Sequence, residues 1–200
     1  MPTRSHLVIL LHGIGASGGQ LMPLASAWRT DLPDVRFIAP DAPFHAQYGT
    51  GHQWFSMDGQ ELQPARIASV RKAFDTLIGE IVEREGFSDA RDRVAFVGVS
   101  QGAIVALDAV ASGRWRVGAV VSFAGLLPPV AIASAGKATP LMLIHGQDDR
   151  TIPPAASTVA AAQLRGAGFN VDLQLLPATG HTISDKGARL ALEFLRTTLI

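Results

Sequence analysis

The sequence predicts an α/β protein built on a doubly wound parallel sheet. Short β-branched runs recur between segments of helical periodicity, an alternation that favours parallel strands covered on both faces. The 200 residues and their 48% hydrophobic content suit one domain, residues 1–200, with a full-sized core. About six strands are expected, with no insertion long enough to form a separate lid domain.

The strand candidates are residues 6–11, 35–39, 93–97, 118–123, 141–145 and 171–176. Helical periodicity or composition marks residues 19–30, 64–85, 103–112, 154–167 and 186–198. In the longest helix, Ile67, Val70, Phe74, Leu77, Ile78 and Ile81 form one stripe at i, i+3, i+4, i+7 spacing, which reads as core-facing. Residues 41–59 carry Pro, Gly, His and aromatic side chains without a clear period and read as a long ordered loop. Residues 126–139, rich in Pro and Ala, are expected to cross the mouth of the sheet.

Charge excludes several classes of partner. Seventeen Lys plus Arg balance 17 Asp plus Glu, so no strong field attracts nucleic acid or an anionic membrane. The basic residues are scattered without an interleaved aromatic stripe, against nucleic-acid binding. No stretch approaches the roughly 20 apolar residues of a membrane span. The absence of cysteine removes disulfides and thiolate metal sites, and fits a cytoplasmic location. A neutral surface with exposed apolar loops leaves room for a homodimer.

Gly98-Val99-Ser100-Gln101-Gly102 follows a strand candidate and precedes a helix candidate. A serine hydroxyl is a weak nucleophile at neutral pH and needs an adjacent base. A sharp strand-to-helix turn lifts it off the sheet and aims the next backbone N–H, here that of Gln101, at a developing oxyanion. Side chains in place of the flanking glycines would collide with the strand and helix packed against so tight a turn.

An acid and a base follow in order. Asp148 and Asp149 lie on the loop after the fifth strand candidate, where a carboxylate can hold a histidine tautomer. The residues alone do not separate the two aspartates. His181, between the last strand and last helix, is the base candidate, since histidine titrates near neutrality. His12 and His145 precede glycines at strand ends and read as structural, bonded to loop backbone. His45 and His52 in the long loop face either substrate or solvent. No spacing of histidines and carboxylates suits a metal, and no cofactor is expected.

Leu11-His12-Gly13-Ile14-Gly15 ends the first strand, where the N–H of Ile14 can supply a second oxyanion donor. The same stretch is a G-x-G-x-x-G through Gly13, Gly15 and Gly18, with Asp41 about twenty residues on. A dinucleotide reading, however, leaves Ser100, Asp149 and His181 unexplained.

These motifs together resemble the phospholipase/carboxylesterase family of α/β hydrolases, which includes bacterial carboxylesterases and acyl-protein thioesterases. The resemblance extends from Leu7 almost to the C-terminus, through Ile38-Ala39-Pro40-Asp41-Ala42-Pro43, Gln53-Trp54-Phe55 and Gly180-His181-Thr182-Ile183. Gln101 after the serine looks like this family's elbow, and residues 51–56 look like its small bacterial esterase branch. In the family's H-G-x-x-D-x-x-V-P pattern the acid falls on Asp149, with Asp148 at a variable position. The resemblance implies Ser100 as nucleophile, His181 as base and the Ile14 and Gln101 N–H groups as oxyanion hole. It also implies an α/β-hydrolase sheet in the order 2-1-3-4-5-6. Ala16, Ser56 and Ala124-Gly125 depart from the family pattern, all bordering the crevice.

The expected function is hydrolysis of a carboxylic ester through an acyl-enzyme, on small or short-chain esters. Trp54, Phe55, Leu126, Ile152 and Ile183 are expected to form an apolar pocket. Acyl-protein thioesterase or lysophospholipase activity would use the same three residues with another pocket. A non-catalytic binding module on the same fold would usually lack one of them. The expected partner is a small-molecule ester, with neither nucleic acid nor stable membrane insertion.

Overall fold

The structure is a computed structural model and describes residues 5–47, 49–59, 63–133 and 139–199. Strand β1 is His6–Leu11 and β2 is Val35–Ile38, followed by the two-residue strands β3, Phe44–His45, and β4, His52–Gln53. Then come β5 (Val94–Val99), β6 (Ala119–Phe123), β7 (Leu141–Gly146) and β8 (Val171–Leu176). The helices are α1 (Met22–Trp28), α2 (Pro64–Arg84), α3 (Gln101–Ala111), α4 (Ala155–Gly166) and α5 (Asp185–Leu199). Six strands form one parallel sheet in the order β2-β1-β5-β6-β7-β8. Counted among the six alone, that is the expected 2-1-3-4-5-6.

Each central strand is buried on both sides, and its residues alternate between two cores. Leu7, Ile9 and Leu11 of β1 pack with Phe74 and Ile78 of α2, Val105 of α3 and Leu164 of α4. Val8 and Leu10 face the other way, onto Trp28 of α1 and Ala191 and Leu195 of α5. This period of two explains why the central strands are mostly apolar on both faces, with Ser122 in β6 and His145 in β7 as buried polar exceptions. The chain winds from β1 outward to β2, then returns through α2 to place β5 on the other side of β1. The winding therefore reverses between β1 and β5, where open α/β sheets form their ligand crevice. No helix among the described residues is long and apolar enough to cross a membrane.

Three elements differ from the sequence-based expectation. Residues 41–59 contain the antiparallel β3–β4 hairpin, too short for a periodic signal, and β4 also bridges to Ala16. The helix expected over 19–30 divides into a 3-10 turn, Gly18–Leu21, and α1, with Pro23 in its first turn, where a missing N–H is tolerated. Helix α3 begins two residues early, because the carbonyl of Ser100 already accepts the Ile104 N–H at 3.0 Å. Of the loop expected over 126–139, residues 134–138 lie outside the described residues.

Close backbone approach holds α3 against β1. A Cβ on Gly102 would stand 2.1 Å from the Leu11 carbonyl oxygen. A Cβ on Gly79, inside α2, would meet nothing within 4 Å. Gly102→Ala should therefore destabilise by about 1–3 kcal/mol through forced backbone shifts. Gly79→Ala should stabilise by about 0.5–1 kcal/mol through reduced chain entropy. Urea unfolding of both variants measures the contrast.

Candidate active site

Ser100 sits between β5 and α3 with φ 54° and ψ −120°, a conformation that costs a residue with a side chain about 1–3 kcal/mol. Its surroundings impose it. The Ser100 N–H donates to the Phe123 carbonyl at 2.9 Å, tying the turn to the end of β6. A Cβ on Gly98 would come within 2.4 Å of the Gly102 carbonyl oxygen, so the strand can meet the helix only without one. The loop after β1 lies alongside, and a Cβ on Gly13 would stand 3.3 Å from that of Ser100.

Asp149 and His181 meet at the same edge of the sheet. They follow β7 and β8, whose carboxyl ends share an edge with that of β5. Asp149 Oδ2 accepts the His181 Nδ1–H at 2.7 Å, which leaves Nε2 as the ring's other nitrogen. Asp149 Oδ1 accepts backbone N–H groups from Thr151 at 2.8 Å and Ile152 at 3.0 Å. Burial alone would push the Asp149 carboxyl up. The hydrogen bonds from His181, Ile152 and Thr151 outweigh it and hold the group below the usual carboxylate range. Asp148 is exposed, and geometry thus separates the two neighbouring aspartates.

The residue after the serine binds in two ways. Among the described residues no hydrogen bond within the chain engages the N–H of Gln101 or of Ile14. The Gln101 side chain is buried, with Oε1 accepting the Trp54 N–H at 3.0 Å and Nε2 donating to the Phe55 carbonyl at 2.9 Å. It thereby fixes the segment after β4. That segment in turn steadies the loop after β1, since Gly15 donates to His52 and His52 to Ala16, each at 2.8 Å. Asp41, the ribose ligand of a dinucleotide reading, instead accepts the Gly18 N–H at 2.8 Å.

A cavity of about 610 Å³ opens beside Ser100 and follows α3. Phe55, Leu126 and Ile152 line it, as expected from the sequence. Trp54 and Ile183 do not. Trp54 is core, 1% exposed, with its indole N–H donating to the His12 carbonyl at 2.8 Å. Ile183 packs on the opposite face of the sheet, against the α1 and α5 core. The wall is completed by Ile67 and Val70 of α2, Ile104 and Val105 of α3, Met57, Pro128 and Pro129. The Arg71–Asp108 ion pair, 2.7 Å, lies two helical turns beyond Gln101 along α3, or about 10 Å.

The model of the phospholipase/carboxylesterase family matches residues 2–199. The chain belongs to that family. It is similar to the esterase YpfH of Escherichia coli, 27% identical over 96% of this chain and 83% of that one. It is also 28% identical to acyl-protein thioesterase 1 homolog 1 of Dictyostelium discoideum, over 98% of this chain and 92% of its relative. Among solved structures, the crystal structure of esterase PE8 superposes with a TM-score of 0.85 at 30% identity. That match covers 100% of this chain and 97% of the other. The fold is the α/β-hydrolase fold.

In this family member the stripe on α2 is only partly core. Phe74, Ile78 and Ile81 are buried and Leu77 packs against the same core, Val70 touches both the core and the cavity, and Ile67, at the N-terminal end, lines the cavity and not the core. Periodicity gives a helix's apolar face but not where the opposing surface stops. Ile104 was legible in principle, one helical turn after Ser100. His45 and His52 stack on each other across the hairpin, with ring centroids 4.9 Å apart. Among the described residues no group of three or more His, Asp or Glu side chains is arranged to hold a metal ion.

His12 carries a pH dependence. Its Nε2 accepts the Ala42 N–H at 2.9 Å, so Nδ1 holds the proton and donates to the Gly13 carbonyl at 2.7 Å. Burial, more than any other cause, pushes its pKa below the ordinary value. An unfolded histidine protonates near pH 6.5, so folding excludes a proton that the unfolded chain binds. This contribution to stability is complete above about pH 6.5 and is lost as pH falls from there to the lower folded value. Urea midpoints should fall between pH 7 and pH 5, and His12→Gln should show a shallower slope. His6, also lowered by burial and by Arg93, leaves a residual slope.

Proposed function

We propose that the chain is a serine carboxylic-ester hydrolase that works through an acyl-enzyme. One observation carries the reading: the Asp149–His181 hydrogen bond lies at the sheet edge where Ser100 occupies a turn costly for a residue with a side chain. The Ser100 hydroxyl attacks the acyl carbonyl while His181 Nε2 takes its proton. Asp149 holds the His181 tautomer and stabilises the imidazolium. The N–H groups of Ile14 and Gln101 receive the oxyanion. His181 then protonates the leaving alcohol, and water, deprotonated by His181, releases the acid and restores Ser100.

The apolar cavity beside Ser100 favours a carbon chain over a polar group on the acyl side. Its depth of about 10 Å along α3 suits short to medium chains. The exposed Ile14 and Met57 at its mouth supply apolar surface to an entering ester. The same pocket would take a thioester, a second reading favoured by the acyl-protein thioesterase name of one relative.

A fluorophosphonate probe should label the wild type and leave Ser100→Ala unlabelled; equal labelling of the two would remove the nucleophile. Asp149→Asn should lower kcat by about 10⁴-fold, and Asp148→Asn by little. kcat/KM should fall on the acid side, because a protonated base cannot take the Ser100 proton, and a rate indifferent to pH would speak against a histidine base. Rates on p-nitrophenyl esters should climb with acyl length and fall once the chain reaches Arg71 and Asp108. A palmitoylated peptide assayed beside p-nitrophenyl butyrate separates the thioesterase reading from the esterase one.

A further inference from the structure

His145, at the end of β7, is 1% exposed and lies behind Asp149, outside the cavity wall. Its Nε2 stands 2.8 Å from the Ile152 carbonyl, which can only accept, so Nε2 carries a proton. The same N–H reaches Asp149 Oδ2 at 3.1 Å, the oxygen that also accepts from His181. On the other side of the ring, Nδ1 pairs with the Ser157 hydroxyl at 2.7 Å. Ser157 is fully buried on α4, and its oxygen lies 3.2 Å from the Gly125 carbonyl beyond β6. A structural histidine needs only its backbone partner. This one is aimed by a buried hydroxyl so that its proton is shared with the carboxylate.

We propose that His145, oriented by Ser157, is a positioning residue for Asp149, holding Oδ2 in the plane that meets His181 Nδ1. This rests on the hydrolase reading above. The carboxylate has four donors, two on each oxygen, and only the His145 and His181 donors share Oδ2. Loss of the His145 donor lets the carboxylate pivot about its bond to His181, which misaligns the imidazole, and concentrates the charge of Oδ2 on that remaining partner. The first effect lowers turnover without touching substrate. The second stabilises the His181 imidazolium and moves the acid limb of the pH profile upward.

The test compares His145→Phe, which keeps a ring and loses the donor, with His145→Gln, which keeps an N–H near the Nε2 position. His145→Phe should lose about 10–100-fold in kcat, as misplacements of about 1 Å do, with KM unchanged within about twofold. Its acid limb should move up by about half a pH unit, and His145→Gln should recover most of both. A folded His145→Phe with wild-type kcat and acid limb overturns the proposal, as does a loss confined to KM or a His145→Gln equally impaired. If His145→Phe fails to fold, Ser157→Ala decides: a raised acid limb supports the proposal and an unmoved one overturns it. If the wild type itself does not react with a fluorophosphonate, the hydrolase reading fails on its own. The low-field proton resonance of His181 Nδ1 then still tests the positioning, since it should shift in Ser157→Ala, and an unmoved resonance overturns it.

Discussion

A carboxylate with no exposed surface, that of Asp149, constrains this whole edge of the molecule. A buried ion is tolerated only when its lone pairs are filled by donors with good geometry. Here the donors come from the Thr151–Ile152 turn, from β7 through His145, and from the loop after β8 through His181. Satisfying one charge therefore fixes two strand ends and a turn relative to each other. The strand ends also touch directly, since a Cβ on Gly146 would come within 2.2 Å of the Thr179 carbonyl oxygen. Electrostatics and backbone packing require the same arrangement.

The other half of the edge is held without charge. Ser100 is fastened to β6 by its own N–H, and Gln101 to the Trp54–Phe55 backbone by its side chain. Trp54 reaches on to the His12 carbonyl, and His12 to Ala42. One chain of buried neutral hydrogen bonds thus connects the elbow, the hairpin segment and the loop after β1. Such a network acts rigidly when every member is paired. It keeps the N–H groups of Ile14 and Gln101 free of partners within the chain while immobilising the residues around them.

The sheet was legible because its strands are short apolar runs and its helices have a clear period. Strand order followed from family resemblance, and the topology agrees with it. Of the candidate site residues, Ser100 and His181 come from motif order, since a turn or a strand end leaves a local signature, whereas the choice of Asp149 over Asp148 comes only from the family resemblance. The cavity wall was less so. Trp54 was misplaced because an aromatic residue in a loop looks like a ligand contact until a buried carbonyl, that of His12, is seen to claim its N–H. The stripe on α2 marks Ile67 as core, yet it lines the cavity, because a stripe says which face is apolar and not what covers it. His145 was read as bonded to backbone, which is correct for Ile152, yet the carboxylate and hydroxyl that make it distinctive come from folding, not spacing.

The charged end of the cavity follows from the same helices that build it. Arg71 on α2 grips Asp108 on α3 with two hydrogen bonds, and Arg114 binds the same carboxylate at 2.8 Å. Hydrogen bonding to Asp108 holds Arg71 above its ordinary pKa, so the guanidinium keeps its charge. Ile67, Arg71 and Pro129 line both the cavity beside Ser100 and the open groove beyond it, next to Lys72 and Asp75. The two spaces therefore adjoin at these residues. A methylene chain advancing along α3 leaves apolar walls at Val105 and meets an ion pair that it can neither solvate nor hydrogen-bond. Displacing that pair would expose Asp108, which is mostly buried, without Arg71 as a donor. On the proposed hydrolase reading, the interaction that ties α2 to α3 therefore also limits how far an apolar chain can run from Ser100.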